Sequence, residues 1–280
     1  MIRIANLVFA VILFSANVSF AAIIATNNFK IIEHNIQKAD ADTLLIFDVD
    51  DVLLQPTDQL LKSHHEHYFE EIYKDLEVRF NKTQAKKLFS LIMLQRKIEP
   101  VEEKIIDLIN TAQKNGIKVL ALTLCSTGAL GTIDSLEDWR SNELKLLGYN
   151  FDKSWHTLAK KTFKQLPNKE LNKFVAFQQG VVFTGGVSKA DALKAFLNYA
   201  AIKPKKILFV DDKKHNLMAV ETFAVAKNID FLGIEYTFVQ DSKIEPINKT
   251  RARLQFEILE KKHKWLSDQE IDAEINKAKN

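Results

Sequence analysis

The chain has 280 residues, 46% of them hydrophobic and 27% charged, with eight glycines and five prolines, a balance that excludes a disordered, collagen-like or linker-rich protein. Its 39 basic and 36 acidic residues leave a net charge of +3, so nothing in the composition points to nucleic acid as a partner. The single cysteine, Cys125, excludes an intramolecular disulfide and any multi-cysteine metal site.

Residues 1–21 have the layout of a secretory signal peptide: Arg3 near the start, an unbroken apolar run at 7–14, and small residues Ser19 and Ala21 at the positions a signal peptidase reads. A membrane anchor is the alternative, because residues 4–25 carry no charge. Asn6, Ser15, Asn17 and Ser19 make that stretch a poor permanent span, so cleavage is expected, with a periplasmic or secreted chain and no stable membrane span. An exported chain with one cysteine must hold together by its core alone. Cys125 follows a predicted buried strand, with no histidine motif beside it, and reads as an inert small hydrophobe.

Five short apolar runs, 43–47, 118–122, 180–184, 206–210 and 230–234, suit parallel strands covered on both faces. Helical patterns fall between them at 101–115, which ends at Gly116, at 188–200 with Ser188 as N-cap, and at 217–226. This alternation predicts an α/β fold with a doubly wound parallel sheet. Residues 55–100 form a helix-rich insertion, with patterns at 58–79 and 83–95, that predicts a small helical cap. The long connection 124–179 contains a helix near 135–147, and 174–177 could pair with 181–184 as a hairpin around Gln178-Gln179-Gly180. The C-terminal segment 246–280 reads as two polar amphipathic helices, 246–264 and 268–279, laying Leu254, Ile258, Leu259, Trp265 and Ile271 onto the domain.

The chemistry concentrates at strand ends. The run 44–47 leads into Asp48, Asp50 and Asp51, and 207–210 leads into Asp211 and Asp212. In a parallel α/β sheet ligands bind beyond the carboxyl ends of the strands. Crowded carboxylates there repel one another unless a cation neutralises them, so if the two strands are neighbours they form an oxygen pocket suited to magnesium and a phosphorylated substrate. Thr123 ends another strand, and Gly185-Gly186-Val187-Ser188-Lys189 places a lysine at a helix start; a hydroxyl, a lysine and a helix N-terminus all suit a phosphate.

These four segments, in this order over residues 43 to about 215, resemble the motifs of the haloacid dehalogenase-like (HAD) superfamily, with secreted bacterial members of uncharacterised subfamily nearest in layout. The D-x-D motif matches Asp48-Val49-Asp50, the Ser/Thr motif Thr123, the lysine motif Lys189 and the acidic pair Asp211-Asp212. The resemblance implies a HAD-like, Rossmann-type core and a phosphatase in which Asp48 attacks phosphorus to form an aspartyl-phosphate and Asp50 is the acid and base. It implies magnesium held by the Asp48 side chain, the Asp50 carbonyl and Asp212, with Asp211 binding directly or through water, and the phosphoryl group held by Thr123 and Lys189. Asp51 lies outside the motif and is expected to be a solvated or hydrogen-bonding turn residue.

The expected activity is therefore that of an exported magnesium-dependent phosphatase acting on a phosphorylated small molecule, with a phosphoprotein as the alternative substrate. A phosphomutase or phosphotransferase using the same intermediate, and a non-enzymatic binding protein, are the other readings. His64, His65 and His67 lie in the first insertion among Glu66, Glu70 and Glu71, which suits an exposed charged face or a group over the site better than a dedicated metal site. His215, three residues after the acidic pair, either sits at the site mouth or starts the next helix.

Overall fold

The computed structural model describes residues 20–171 and 173–279; most of the signal-peptide reading, residues 1–19, lies outside the described residues. The chain runs β1 (Ala21–Thr26), α1 (Phe29–Gln37), β2 (Thr43–Phe47), β3 (Leu54–Pro56), α2 (Glu66–Phe80), α3 (Lys82–Gln95), β4 (Ile98–Pro100), α4 (Lys104–Lys114), β5 (Lys118–Thr123) and α5 (Leu136–Leu146). It continues through β6 (Lys161–Asn168), β7 (Lys173–Gln178), β8 (Val181–Phe183), α6 (Lys189–Ala200), β9 (Lys206–Asp211), α7 (Lys214–Val225), β10 (Asp230–Tyr236), α8 (Lys249–Lys262) and α9 (Asp268–Lys279).

Eight strands form one sheet in the order β1-β10-β9-β2-β5-β8-β7-β6. The pairings from β1 through β8 are parallel, and β7 and β6 add antiparallel strands at one edge. Every residue of β2 is buried, as a strand covered on both faces requires. Alternate residues point to opposite faces: Leu45 and Phe47 join α1 and α4 in one core, while Leu44 and Ile46 join α6 and α7 in the other. The sheet is therefore doubly wound. From β2 the chain builds outward through β5 and β8, then returns to place β9 on the other side of β2, so β2 and β9 flank a topological switch point.

The predicted helices and hairpin form with small shifts. Ser188 caps α6 by accepting from Asp191 N (3.1 Å), and Ser135 caps α5 by accepting from Asp138 N (3.1 Å). Gln179 (φ 51°) and Gly180 (φ 76°) make the two-residue turn between β7 and β8. The helix read at 58–79 instead begins at Glu66, after two short 3-10 turns, Gln59–Leu61 and Ser63–His65. β1, α1, β3, β4 and β6 are additions to the predicted elements. β1 starts at Ala21 and pairs Ala21 with Phe231, at the boundary assigned to the signal peptide.

The insertion leaves the sheet on an antiparallel stem, β3 against β4, and carries α2 and α3 as a cap. The C-terminal helices cover this cap rather than the sheet. Ala252, Phe256, Leu259 and Trp265 share a buried cluster with Leu60, Leu76, Ala85, Leu88 and Ile92. The face of α8 is thus Ala252, Gln255, Phe256 and Leu259, with the predicted Leu254 and Ile258 only half-buried beside it. Arg79 forks onto Glu260 at 2.8 and 2.9 Å, and the Trp265 indole donates to Asp58 Oδ2 (2.8 Å). Asp58 Oδ1 also accepts from Asp268 N (2.9 Å), tying the entry of the cap to the start of α9. Trp265→Ala removes both the ring and the indole donor; it is expected to cost about 3–5 kcal/mol, read from urea unfolding, and to loosen the cap first.

Candidate active site at the switch point

Because β2 and β9 are neighbours, their carboxyl ends bring both acidic segments to one place. Asp48 N–H donates to Val210 O (2.9 Å), which locks the two strand ends together. One carboxylate oxygen from each of Asp48, Asp211 and Asp212 lies within 4.8 Å of the others, and all three residues are buried. Lys189, from the first turn of α6, is buried among them, with Nζ 2.8 Å from Asp48 Oδ1 and 2.6 Å from Asp211 Oδ2.

Three buried carboxylates against one buried ammonium leave an excess of negative charge. Burial pushes the Asp48 carboxyl well above the usual carboxylate range, and the charges of Asp211 and Asp212 add to this while Lys189 opposes it. Burial likewise raises Asp212. Burial disfavours the Lys189 charge, yet Asp48 and Asp211 hold its pKa above the ordinary lysine value. A hard divalent cation fits this oxygen set and would remove the repulsion that the fold builds in.

The three acids are held differently. Asp48 Oδ1 accepts from Val49 N (2.7 Å) as well as from Lys189, which fixes that oxygen. Asp211 is surrounded by donors: Lys189, Asn216 Nδ2 (3.0 and 3.3 Å) and Lys213 N (2.8 Å). It therefore orients Lys189. Asp212 Oδ2 accepts from Gln240 Nε2 (2.7 Å) and pairs with Lys213 Nζ (2.9 Å).

Above the acids lies a cavity of about 390 Å³ bounded by the sheet end and the cap. Asp48, Asp50, Asp51 and Asp212 form part of its lining. Thr123 and Lys189, expected at the phosphoryl group, are both buried and off the cavity wall; the Thr123 hydroxyl accepts from Cys125 N (3.1 Å). Asp51 is the hydrogen-bonding turn residue of the two expected alternatives, not the solvated one: it is buried at φ 61°, its N–H donates to Leu54 O (2.9 Å), and burial raises its carboxyl. The turn that brings Asp50 to the cavity forces Asp51 inward.

Asp50 is half-exposed and points its carboxylate at Arg140, on α5, with Nη2 at 3.0 and 3.1 Å from its two oxygens. Arg140 is buried, bonds Glu143 (2.9 Å), and Glu143 in turn accepts from Arg96 (2.9 Å). Both guanidinium groups lie over the Trp139 ring, at 4.6 and 5.3 Å. Burial opposes the Arg140 charge, and Asp50 and Glu143 more than offset it. Sequence reasoning missed Arg140; its only trace is an arginine three residues before a glutamate on a predicted helix. Asn216, Lys213 and Gln240 were missed for the same reason, since each acts by supporting a carboxylate.

Among the described residues the histidines join no cluster of metal-ligating side chains. His67 pairs with Glu71 (3.3 Å) on an exposed face, His64 Nε2 lies 3.3 Å from Gln240 O, and His215 is exposed in the first turn of α7. Burial pushes the Cys125 thiol up to about 11, which keeps it protonated and unreactive near neutral pH. No helix among the described residues is long and apolar enough to cross a membrane.

Comparison with known proteins corrects the family expected from the four motifs. No HAD family model matches, and the HAD resemblance is withdrawn. The physical reason is that each motif is only one to three residues at a strand end or, for Lys189, a helix start, positions that a doubly wound topology gathers at one edge of the sheet and that do not identify a lineage. The chain is 27% identical over 246 residues to an uncharacterized protein, RP296, of Rickettsia prowazekii, covering 88% of each chain. It is also 27% identical over 205 residues to a Chlamydia trachomatis protein named "Putative outer membrane protein", covering 71% of this chain and 70% of that one. A Chlamydia muridarum protein of the same name is 27% identical over 201 residues, covering 69% and 68%. No solved structure matches the chain. The model of a protein of unknown function, DUF2608, matches residues 25–272, and the chain belongs to that family.

Proposed function

We propose that this protein is a magnesium-dependent phosphomonoesterase working through a phosphorylated Asp48. The observation that carries the reading is the buried triad of Asp48, Asp211 and Asp212 at the switch point, beneath a cavity and with a lysine inserted. Such an arrangement is costly to fold and serves no packing purpose. Magnesium, bound by carboxylate oxygens of the Asp48, Asp211 and Asp212 cluster, would neutralise the carboxylates and polarise the phosphoryl oxygens.

In this reading Asp48 Oδ1 is the oxygen held by Val49 N and Lys189, so attack falls to Oδ2. Oδ2 forms a bond to phosphorus as the bond to the leaving oxygen breaks, and a proton brought in by the phosphomonoester monoanion passes through Asp50 to that oxygen. Asp50, again ionised, then takes a proton from water as the water attacks phosphorus, which frees Asp48 and inorganic phosphate. Arg140 holds the Asp50 carboxylate toward the cavity through two contacts. Arg140→Lys keeps one charge and loses the fork, and phosphate release is expected to fall about 10–100-fold with KM little changed.

The leader-like residues 1–21 and the envelope naming of the chlamydial relatives support an exported or cell-envelope location, which we extend to the periplasm or the exterior. The test is phosphate release from a generic aryl phosphate with magnesium. Release that a chelator abolishes and magnesium restores is expected; no release across a broad panel of phosphomonoesters would overturn the reading.

A further inference from the structure

We infer that the phosphomonoester this site accepts carries an apolar, ring-sized leaving group rather than a sugar or other polyhydroxylated one, an inference that rests on the phosphatase reading above. The cavity has two chemically distinct halves. Its floor is the carboxylate cluster, which with a cation takes the phosphoryl group. Its walls are apolar: Leu61 and Phe69 from the cap entry and α2, Phe89 and Met93 from α3, and Leu124 and Trp139 from the core. Phe69 and Phe89 stand 5.9 Å apart at an inclination of 55°, so two ring surfaces belong to one patch. Leu124 is 48% exposed, an apolar side chain left uncovered directly after β5 at the edge of the site.

Three of the charged groups of the wall, Arg140, Arg96 and Lys213, are committed to carboxylates. Arg140 serves Asp50 and Glu143, Arg96 serves Glu143, and Lys213 serves Asp212. Lys62 is half-buried and Glu66 is exposed, both at the cap entry. A sugar has several hydroxyls that lose water on entry and need partners, and walls of this kind supply few. An apolar ring loses nothing there and gains burial. The volume of about 390 Å³ leaves room for a fused ring above a phosphoryl group.

The test compares kcat/KM for 2-naphthylmethyl phosphate and glucose 6-phosphate, both esters of primary alcohols and so matched in leaving group, with magnesium. A preference of about 100-fold or more for the naphthylmethyl ester is expected. In the Leu124→Asn variant that preference is expected to shrink about tenfold, with an unchanged thermal melt. Release of phosphate with equal or better use of glucose 6-phosphate overturns the inference and leaves the phosphatase reading standing. If neither ester is hydrolysed, the broad phosphomonoester panel decides the phosphatase reading, and calorimetry with magnesium decides the inference separately. Binding of 2-naphthylphosphonate at least tenfold tighter than methylphosphonate upholds it, and equal or absent binding overturns it.

Discussion

Asp48→Asn is expected to lower phosphate release by on the order of a thousandfold or more while leaving the fold intact. The asparagine keeps the shape of the side chain and an oxygen for Val49 N–H, which now bonds Asp48 Oδ1 at 2.7 Å. It removes the nucleophilic oxygen and one negative charge. Breaking a buried ion pair ordinarily costs about 3–5 kcal/mol, because the remaining charge is stranded. Here Lys189 keeps Asp211 at 2.6 Å, and Asp211 and Asp212 lose a like-charged neighbour. The thermal melt of Asp48→Asn should therefore match or exceed that of the unaltered protein. Activity retained by the variant, or a melt lowered by the full cost of a broken pair, would each contradict the part assigned to Asp48.

Lys189→Met should do the reverse and damage the fold. Methionine replaces most of the lysine stem without leaving a large void, so the main loss is the ammonium between Asp48 and Asp211. Three buried carboxylates are then left without their internal cation, and a loss of about 3–5 kcal/mol is expected in urea unfolding. Magnesium should restore part of it, and should raise the melt of Lys189→Met more than that of the unaltered protein, because the more negative cluster binds the cation more tightly. A variant as stable as the original, with no response to magnesium, would mean that the cluster is neutral without Lys189 and is not a cation site.

The parts of the fold that sequence reading recovered are those whose signal is local. β2, β5, β9 and β10 are covered on both faces and read as short apolar runs; their polar ends then stand out as Asp48, Thr123 and Asp211-Asp212. β6 was missed because an edge strand reading K-T-F-K-Q-L-P-N has little to bury. β1 was missed because its apolar residues continue the leader run. Which surface an amphipathic helix covers is not local information. α8 and α9 looked ready to pack on the sheet domain, and their burial against the cap depends on Trp265 meeting Asp58, 207 residues earlier in the chain. Arg140 likewise meets Asp50 across 90 residues of sequence. The four strand-end motifs located the carboxylate cluster and misassigned the family, since placement at strand ends follows from topology while lineage resides in the whole chain.

The most direct test of the central claim is to catch the covalent intermediate. The unaltered protein, mixed with an aryl phosphate and magnesium and quenched in acid within the first turnovers, should carry one phosphoryl group on the peptide containing Asp48, and Asp50→Asn should accumulate more of it, because an aryl oxide leaves without the acid while the attacking water still needs the base. Phosphate released with no labelled Asp48 peptide in either protein, or a label on another residue, would contradict the account.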